Sequence, residues 1–171
     1  SDGPTYLSCA HETLAVNLAM GYSVMTGRMQ AVMLHTGVGL LQGSMGIDAA
    51  NRQGVPMVVL SGESLTYSER EDFEPGAQWH GVLSVVGGPS SLVDRITKWS
   101  HAVSSPDTLH EQLIRAGEMA TRAPAGPVYM SVPIETMLHD WTPPQNPRVV
   151  PPAPKPVPPE ADIDRVADIL V

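Results

Sequence analysis

The chain has 171 residues, 42% of them hydrophobic, with 18 acidic side chains against ten Lys and Arg. That length can bury the core of one domain, and the scattered, outnumbered basic residues argue against a nucleic-acid surface. No apolar run approaches the ~18 residues of a membrane span, and the amino end has neither a basic start nor an apolar signal segment. The single cysteine, Cys9, has no internal disulfide partner, which fits a reducing, cytoplasmic setting.

In chain order, residues 5–10 read as a short strand that runs into His11-Glu12 and a helix. Leu14, Leu18, Tyr22 and Met25 recur along that helix, the small residues Ala15, Ala19 and Gly21 allow close packing, and Gly27 ends it. Residues 29–35 form a short, nearly all-apolar run that predicts a strand buried on both faces of a parallel sheet. It leads into His35-Thr36-Gly37-Val38-Gly39, where two glycines turn the chain into a helix over 40–53. After Gly54, residues 55–60 predict a second buried strand, completing a βαβ unit. The turn after the first strand of such a unit lies at the carboxyl edge of the sheet, where ligands bind, and glycines let a ligand approach the backbone.

Beyond Ser61-Gly62-Glu63, a polar stretch with Glu69, Glu71, Asp72 and Glu74 reads as a solvated excursion ahead of Gln78-Trp79-His80. Residues 96–103 alternate like an edge strand. Ser105-Pro106-Asp107 starts an amphipathic helix that reaches Arg122, and residues 128–134 form the last strand, with Pro133 late enough to tolerate a missing donor. From 143 to 159, nine of 17 residues are proline, an extended semi-rigid linker. Ile163, Val166, Ile169 and Leu170 then open another amphipathic helix. A linker running into a new helix, in a chain without an initiating Met, is expected to belong to a longer polypeptide.

Among the residues that carry chemistry, Glu12 stands in the first turn of a helix, where the dipole alone stabilises a carboxylate by ~0.3–1 kcal/mol. His11, His35 and His80 lie near strand ends or turns. His11-Glu12 is not a zinc-protease motif, because the fifth position is Ala15, and no Cys/His spacing supports a metal on this chain. Gly37, Gly39 and Gly43, with Glu63 ending the next strand, approximate a dinucleotide-binding fingerprint whose third glycine is one place late.

Taken together, the pattern resembles the amino-terminal, pyrimidine-binding domain of thiamin diphosphate enzymes of the acetolactate synthase and 2-oxo acid decarboxylase superfamily. The resemblance is carried by His11-Glu12, Ala19-Met20-Gly21-Tyr22, Thr26-Gly27, Thr36-Gly37-Val38-Gly39, the strand into Ser61-Gly62, Ala77-Gln78, Thr97-Lys98-Trp99, Ala125-Gly126-Pro127-Val128 and Val132-Pro133. It covers residues 5–137, and the individual pieces gain their specificity from order and spacing.

The resemblance implies a three-layer α/β/α domain with a mainly parallel sheet over residues 1–137, incomplete at its amino end. A linker over 138–159 and the first helix of a central domain over 160–171 would follow. It implies that Glu12 activates the cofactor's aminopyrimidine, and that Gly37, Val38, Gly39 and Gln42 line that ring, Val38 standing where the family has Pro and Gln42 where it often has Asn. His35, Gln78 and His80 are expected on the substrate side. Thiamin diphosphate is the implied cofactor, with Mg2+ and the diphosphate held by a domain absent from this chain and contributed by a partner subunit of a homodimer, homotetramer or hetero-oligomer. The implied substrate is a small 2-oxo acid or related ketone, undergoing decarboxylation, carboligation or C–C cleavage. The competing expectations are a dinucleotide-binding domain, or a non-catalytic docking domain that keeps the fold.

Overall fold

The computed structural model describes residues 5–64, 76, 87–140, 142 and 144–171. Helix α1 (Glu12–Thr26) starts where the His11 side chain accepts the Thr13 backbone N–H and stops at Gly27, whose φ of 68° is the left-handed conformation glycine adopts without cost. Strand β1 (Gln30–Leu34), helix α2 (Thr36–Arg52) and strand β2 (Met57–Glu63) follow. After the short helix α3 (Ser90–Val93) come strand β3 (Trp99–Ala102), helix α4 (Pro106–Thr121) and strand β4 (Pro127–Pro133). Helix α4 is capped by the Ser105 side chain, which accepts the Asp107 N–H, with Pro106 in the first turn. A single turn, α5 (Ile134–Met137), and the helix α6 (Glu160–Leu170) are the last elements among the described residues.

The four strands pair in the order β1-β2-β4-β3, every pair parallel. On one face Val32, Leu34, Met57, Val59 and Tyr129 pack beneath Val16 of α1 and Leu40, Ile47 and Ala50 of α2. On the other, Val58, Val128, Met130 and Val132 pack beneath Ala116 and Ala120 of α4, with Leu109 and Leu113 at the margin. This is the expected three-layer α/β/α arrangement, and its apolar interior sits around β2 and β4, the two strands with neighbours on both sides.

Four features differ from the sequence-based expectation. Strand β1 is buried on one face only: Ala31 is exposed and Met33 is 72% exposed, because β1 lies at the sheet edge and α4 packs over β4, β2 and β3. Residues 5–9 form no strand and pair with nothing in the sheet. Helix α2 begins at Thr36, not at residue 40, so Gly37 and Gly39 belong to its first turns. The turn itself is made by Thr36, whose φ is 44°. Finally, the proline-rich linker is anchored on α4: Arg148 pairs with Glu111 at 2.8 Å, and Val150 lies over Gly117 so closely that an added Cβ would meet it at 2.5 Å.

Helices α1 and α2 are in unusually close contact. A Cβ on Gly43 would stand 2.9 Å from Leu34 and 3.0 Å from Val16, and one on Gly46 would stand 2.6 Å from Val16 and 3.1 Å from Asn17 Oδ1. Of the small residues expected on α1, Ala15 and Ala19 pack against the core, whereas Gly21 has nothing within 4 Å of such an atom, and the glycines of the close approach are those of α2. Gly46→Ala is therefore expected to destabilise the fold by about 1–3 kcal/mol through overpacking. Denaturant unfolding checks this, and Val16→Ala combined with Gly46→Ala should lose less than the sum of the two single changes.

Candidate functional site

The register of the sheet brings the carboxyl ends of β1, β2 and β4 side by side: Leu34 lies beside Ser61, and Ser61 beside Ser131. At this edge α2 leaves β1 through Thr36, a β-branched residue in the left-handed region that is only 2% exposed. Such a conformation costs on the order of 1–3 kcal/mol and persists where its surroundings enforce it, commonly at ligand sites.

The start of α1 is laid against the start of α2 at this point. Glu12 is half-buried, and its Cγ and Oε1 would both stand 3.2 Å from a Cβ on Gly39, with His35 Cβ at 3.3 Å. Neither Gly37 nor Gly39 has a positive φ. Gly39 is therefore required for closeness to Glu12 rather than for backbone freedom. Among the described residues the Glu12 carboxylate has no ion-pair or hydrogen-bond partner.

The expected site residues thus fall into groups. Glu12, His35 and Gly39 are brought together, and Gly37, buried beside them in sequence, shares the first turn of α2. Val38 is 55% exposed on the outer side of that turn. The side chain of Gln42 is exposed, but its backbone carbonyl accepts the Thr13 hydroxyl at 2.7 Å, a link between the two helices that the sequence did not signal. Gln78 and His80 lie outside the described residues, as does the acidic excursion. Among the described residues no group of three or more His, Cys, Asp or Glu is placed to hold a metal ion.

Behind the turn lies a second polar group, also unanticipated. The hydroxyls of Tyr129 and Ser61 share a hydrogen bond of 2.7 Å in the interior. Burial pushes the Tyr129 hydroxyl well above the ordinary tyrosine range, against the opposing effect of the Ser61 bond. Glu63, 8% exposed, accepts the Ser64 backbone N–H at 2.6 Å. Burial raises its carboxyl above the ordinary range; the Ser64 bond pulls it back and nearby Glu135, itself 1% exposed, adds to the rise. Glu63 is thus folded into the interior instead of presented to a ribose, and the third glycine of the dinucleotide-like spacing, Gly43, is spent on packing against Leu34 and Val16.

A parallel α/β/α domain with a strained, glycine-bearing turn at the carboxyl edge and a carboxylate held over it is a ligand-binding domain of the general kind seen at such edges. The profile of the family described as thiamine pyrophosphate enzyme, N-terminal TPP binding domain, matches residues 1–92, and the chain belongs to that family. It is 27% identical over 135 residues to an acetolactate synthase large subunit of Haemophilus influenzae, covering 79% of this chain and 22% of that protein. It is 26% identical over 141 residues to a benzoylformate decarboxylase of Pseudomonas aeruginosa, covering 81% of this chain and 24% of the relative. Among solved structures, one described as a candidate thiamin diphosphate-dependent enzyme from Mycobacterium smegmatis superposes with a TM-score of 0.67 at 24% identity, over 94% of this chain and 28% of the other. The chain therefore spans less than a quarter of the length of the two curated relatives.

The buried carboxyl makes a pH prediction. Because the folded-state value of Glu63 is raised, the native state holds that proton more tightly than the unfolded state. Its contribution to stability is then fully present below the ordinary glutamate value and is lost as pH rises through the raised folded value. Glu63→Gln, which keeps an acceptor for the Ser64 N–H, is expected to raise the unfolding midpoint at neutral pH relative to the parent. The advantage should shrink on acidification below the ordinary carboxyl range, as followed by thermal melts across pH.

Proposed function

We propose that this chain is the part of a larger thiamin diphosphate-dependent enzyme that presents Glu12 to the cofactor's aminopyrimidine ring. The observation that carries this reading is a half-buried carboxylate that has no partner among the described residues and is held close against the start of α2 by the absence of a side chain at Gly39. A flat ring requires that combination: a carboxyl group free to meet a ring nitrogen, and neighbouring positions without side chains to obstruct the face. In this reading Gly37 and Gly39, which carry no side chains, line the ring, and the capped start of α1 presents the carboxyl group.

In this reading a carboxyl oxygen of Glu12 exchanges a proton with a pyrimidine nitrogen within its reach. The cofactor, when bound, supplies a nucleophilic thiazolium carbon and an electron sink for chemistry at the carbonyl of a 2-oxo acid or related ketone. In the same reading His35, at the start of α2, faces the substrate side. The names of the curated relatives, a synthase and a decarboxylase, are consistent with either carboligation or decarboxylation.

The remaining half of the site belongs to another domain. This chain is proposed to carry no metal ligands of its own, with Mg2+ and the diphosphate held by a diphosphate-binding domain of a partner subunit in a homodimer, homotetramer or hetero-oligomer. Exposed apolar side chains on the two helices that meet at Glu12 support a covered surface here: Leu14, Leu18, Tyr22 and Met25 on α1, and Val38, Leu41 and Met45 on α2. Helix α6 has no buried residue and exposes Ile163, Val166 and Ile169, as expected of the first helix of a following domain. No described helix is long and apolar enough to cross a membrane, and the single Cys9 fits a cytoplasmic setting.

The test is Glu12→Gln in the full-length protein saturated with thiamin diphosphate and Mg2+. Exchange of the thiazolium proton with deuterated water, followed by quenched-flow NMR, is expected to slow by at least about 100-fold, in the range of a lost general acid/base contribution. An unchanged exchange rate would sink the assignment.

A further inference from the structure

Helices α1 and α2 meet along one line of contacts. Glu12 lies against Gly39, the Thr13 hydroxyl donates to the Gln42 carbonyl at 2.7 Å, and Val16 and Asn17 lie against Gly46, with Val16 also against Gly43. The apolar end of this line fixes how far apart the helices sit. It does not fix the position of the first turn of α1, which is the end of the helix and carries the functional carboxylate.

Besides the backbone bond from the Ala15 N–H to the His11 carbonyl, two hydrogen bonds act on that turn, both donated by Thr13. Its backbone N–H goes to His11 Nδ1 at 3.2 Å, which holds the helix start in shape, and its hydroxyl goes to Gln42, 29 residues away on the other helix. The first bond is local to α1 and moves with it. The second is the direct polar tie between the turn that bears Glu12 and the helix that bears Gly39. Gly39 and Gln42 are three residues apart on α2, so they lie on one face of it. The tie is thus about one helical turn from the place where the Glu12 carboxylate must stop.

We propose that Thr13 is a positioning residue: its hydroxyl, through the Gln42 carbonyl, holds the Glu12 carboxylate in register with Gly39 and so sets how well that carboxylate meets the aminopyrimidine. The proposal rests on the reading of Glu12 given above and extends it to a residue that itself touches neither cofactor nor substrate. The main chain of Gln42, rather than its exposed amide, is the relevant part of that residue. A valine at position 13 keeps the shape and removes the donor, whereas serine keeps the donor.

The experiment is a comparison of Thr13→Val, Thr13→Ala and Thr13→Ser, each alone and with Glu12→Gln, in the full-length protein. Thiamin diphosphate affinity is measured calorimetrically in the presence of Mg2+, beside the exchange rate of the thiazolium proton. Thr13→Val and Thr13→Ala are each expected to weaken cofactor binding and slow exchange by about 5- to 10-fold, the worth of one neutral hydrogen bond, and Thr13→Ser to restore both. In the Glu12→Gln background neither Thr13→Val nor Thr13→Ala should cause a further loss, because Thr13 acts only through Glu12. If Glu12→Gln impairs binding and exchange while the donor-less Thr13 variants match the parent, the proposal is wrong. It is equally wrong if their losses add in full to that of Glu12→Gln, as they would for a hydroxyl that merely stabilises the fold. If Glu12→Gln itself changes neither quantity, the reading of Glu12 fails first, and Thr13 loses its role with it.

Discussion

The contact between α1 and α2 is the constraint on which the rest depends. Side chains of ordinary size would hold the two helices about 8–10 Å apart. Here Gly43 and Gly46 let Val16 press against the α2 backbone, and Gly39 lets Glu12 do the same one turn nearer the sheet edge. One row of small residues therefore packs the helices at one end and, in the proposed function, seats the carboxylate at the other. A helix pair separated by even a methyl group more would carry the carboxylate away from the turn.

The sheet gives this pair its footing. Strands β2 and β4 are buried on both faces and clamp each other over seven register pairs, while the bond between Tyr129 and Ser61 and the buried Glu63 fill the interior just behind the turn. Polar groups at that depth must be satisfied to be tolerated, and once satisfied they favour one arrangement of the strand ends. The left-handed, buried Thr36 thus stands over this base at the carboxyl edge of the sheet. On the opposite face α4 carries both its share of the core and the docked linker, so the segment after 140 leaves the domain along a defined path instead of hanging free.

Much of this was legible from sequence because it is local. The ends of α1 and α4 follow from Gly27 and from Ser105-Pro106, whose effects reach only a few residues. The family is legible too, because the order and spacing of pieces such as His11-Glu12 and Thr36-Gly37-Val38-Gly39 carry the resemblance that the family match over residues 1–92 bears out. What escaped depends on neighbours distant in the chain. The exposed face of β1 cannot be read from its apolar residues, because exposure is decided by where α4 lies. The true start of α2 escapes the sequence because a left-handed threonine leaves no mark in the composition, and Gly37 and Gly39 mimic a turn that Thr36 makes. The Thr13 bond spans 29 positions, and the burial of Glu63 depends on α5 and β4; neither has a periodicity to betray it.

Among the described residues the carboxylate of Glu12 is unpaired, and in the proposed function a pyrimidine ring completes it. The most direct measurement is a crystal structure of the full-length protein with thiamin diphosphate and Mg2+ bound. The account predicts a carboxyl oxygen of Glu12 within hydrogen-bonding distance of an aminopyrimidine nitrogen, with the ring lying over the start of α2 at Gly37 and Gly39. A cofactor bound elsewhere, or a ring met by a different side chain while Glu12 faces solvent, would contradict it.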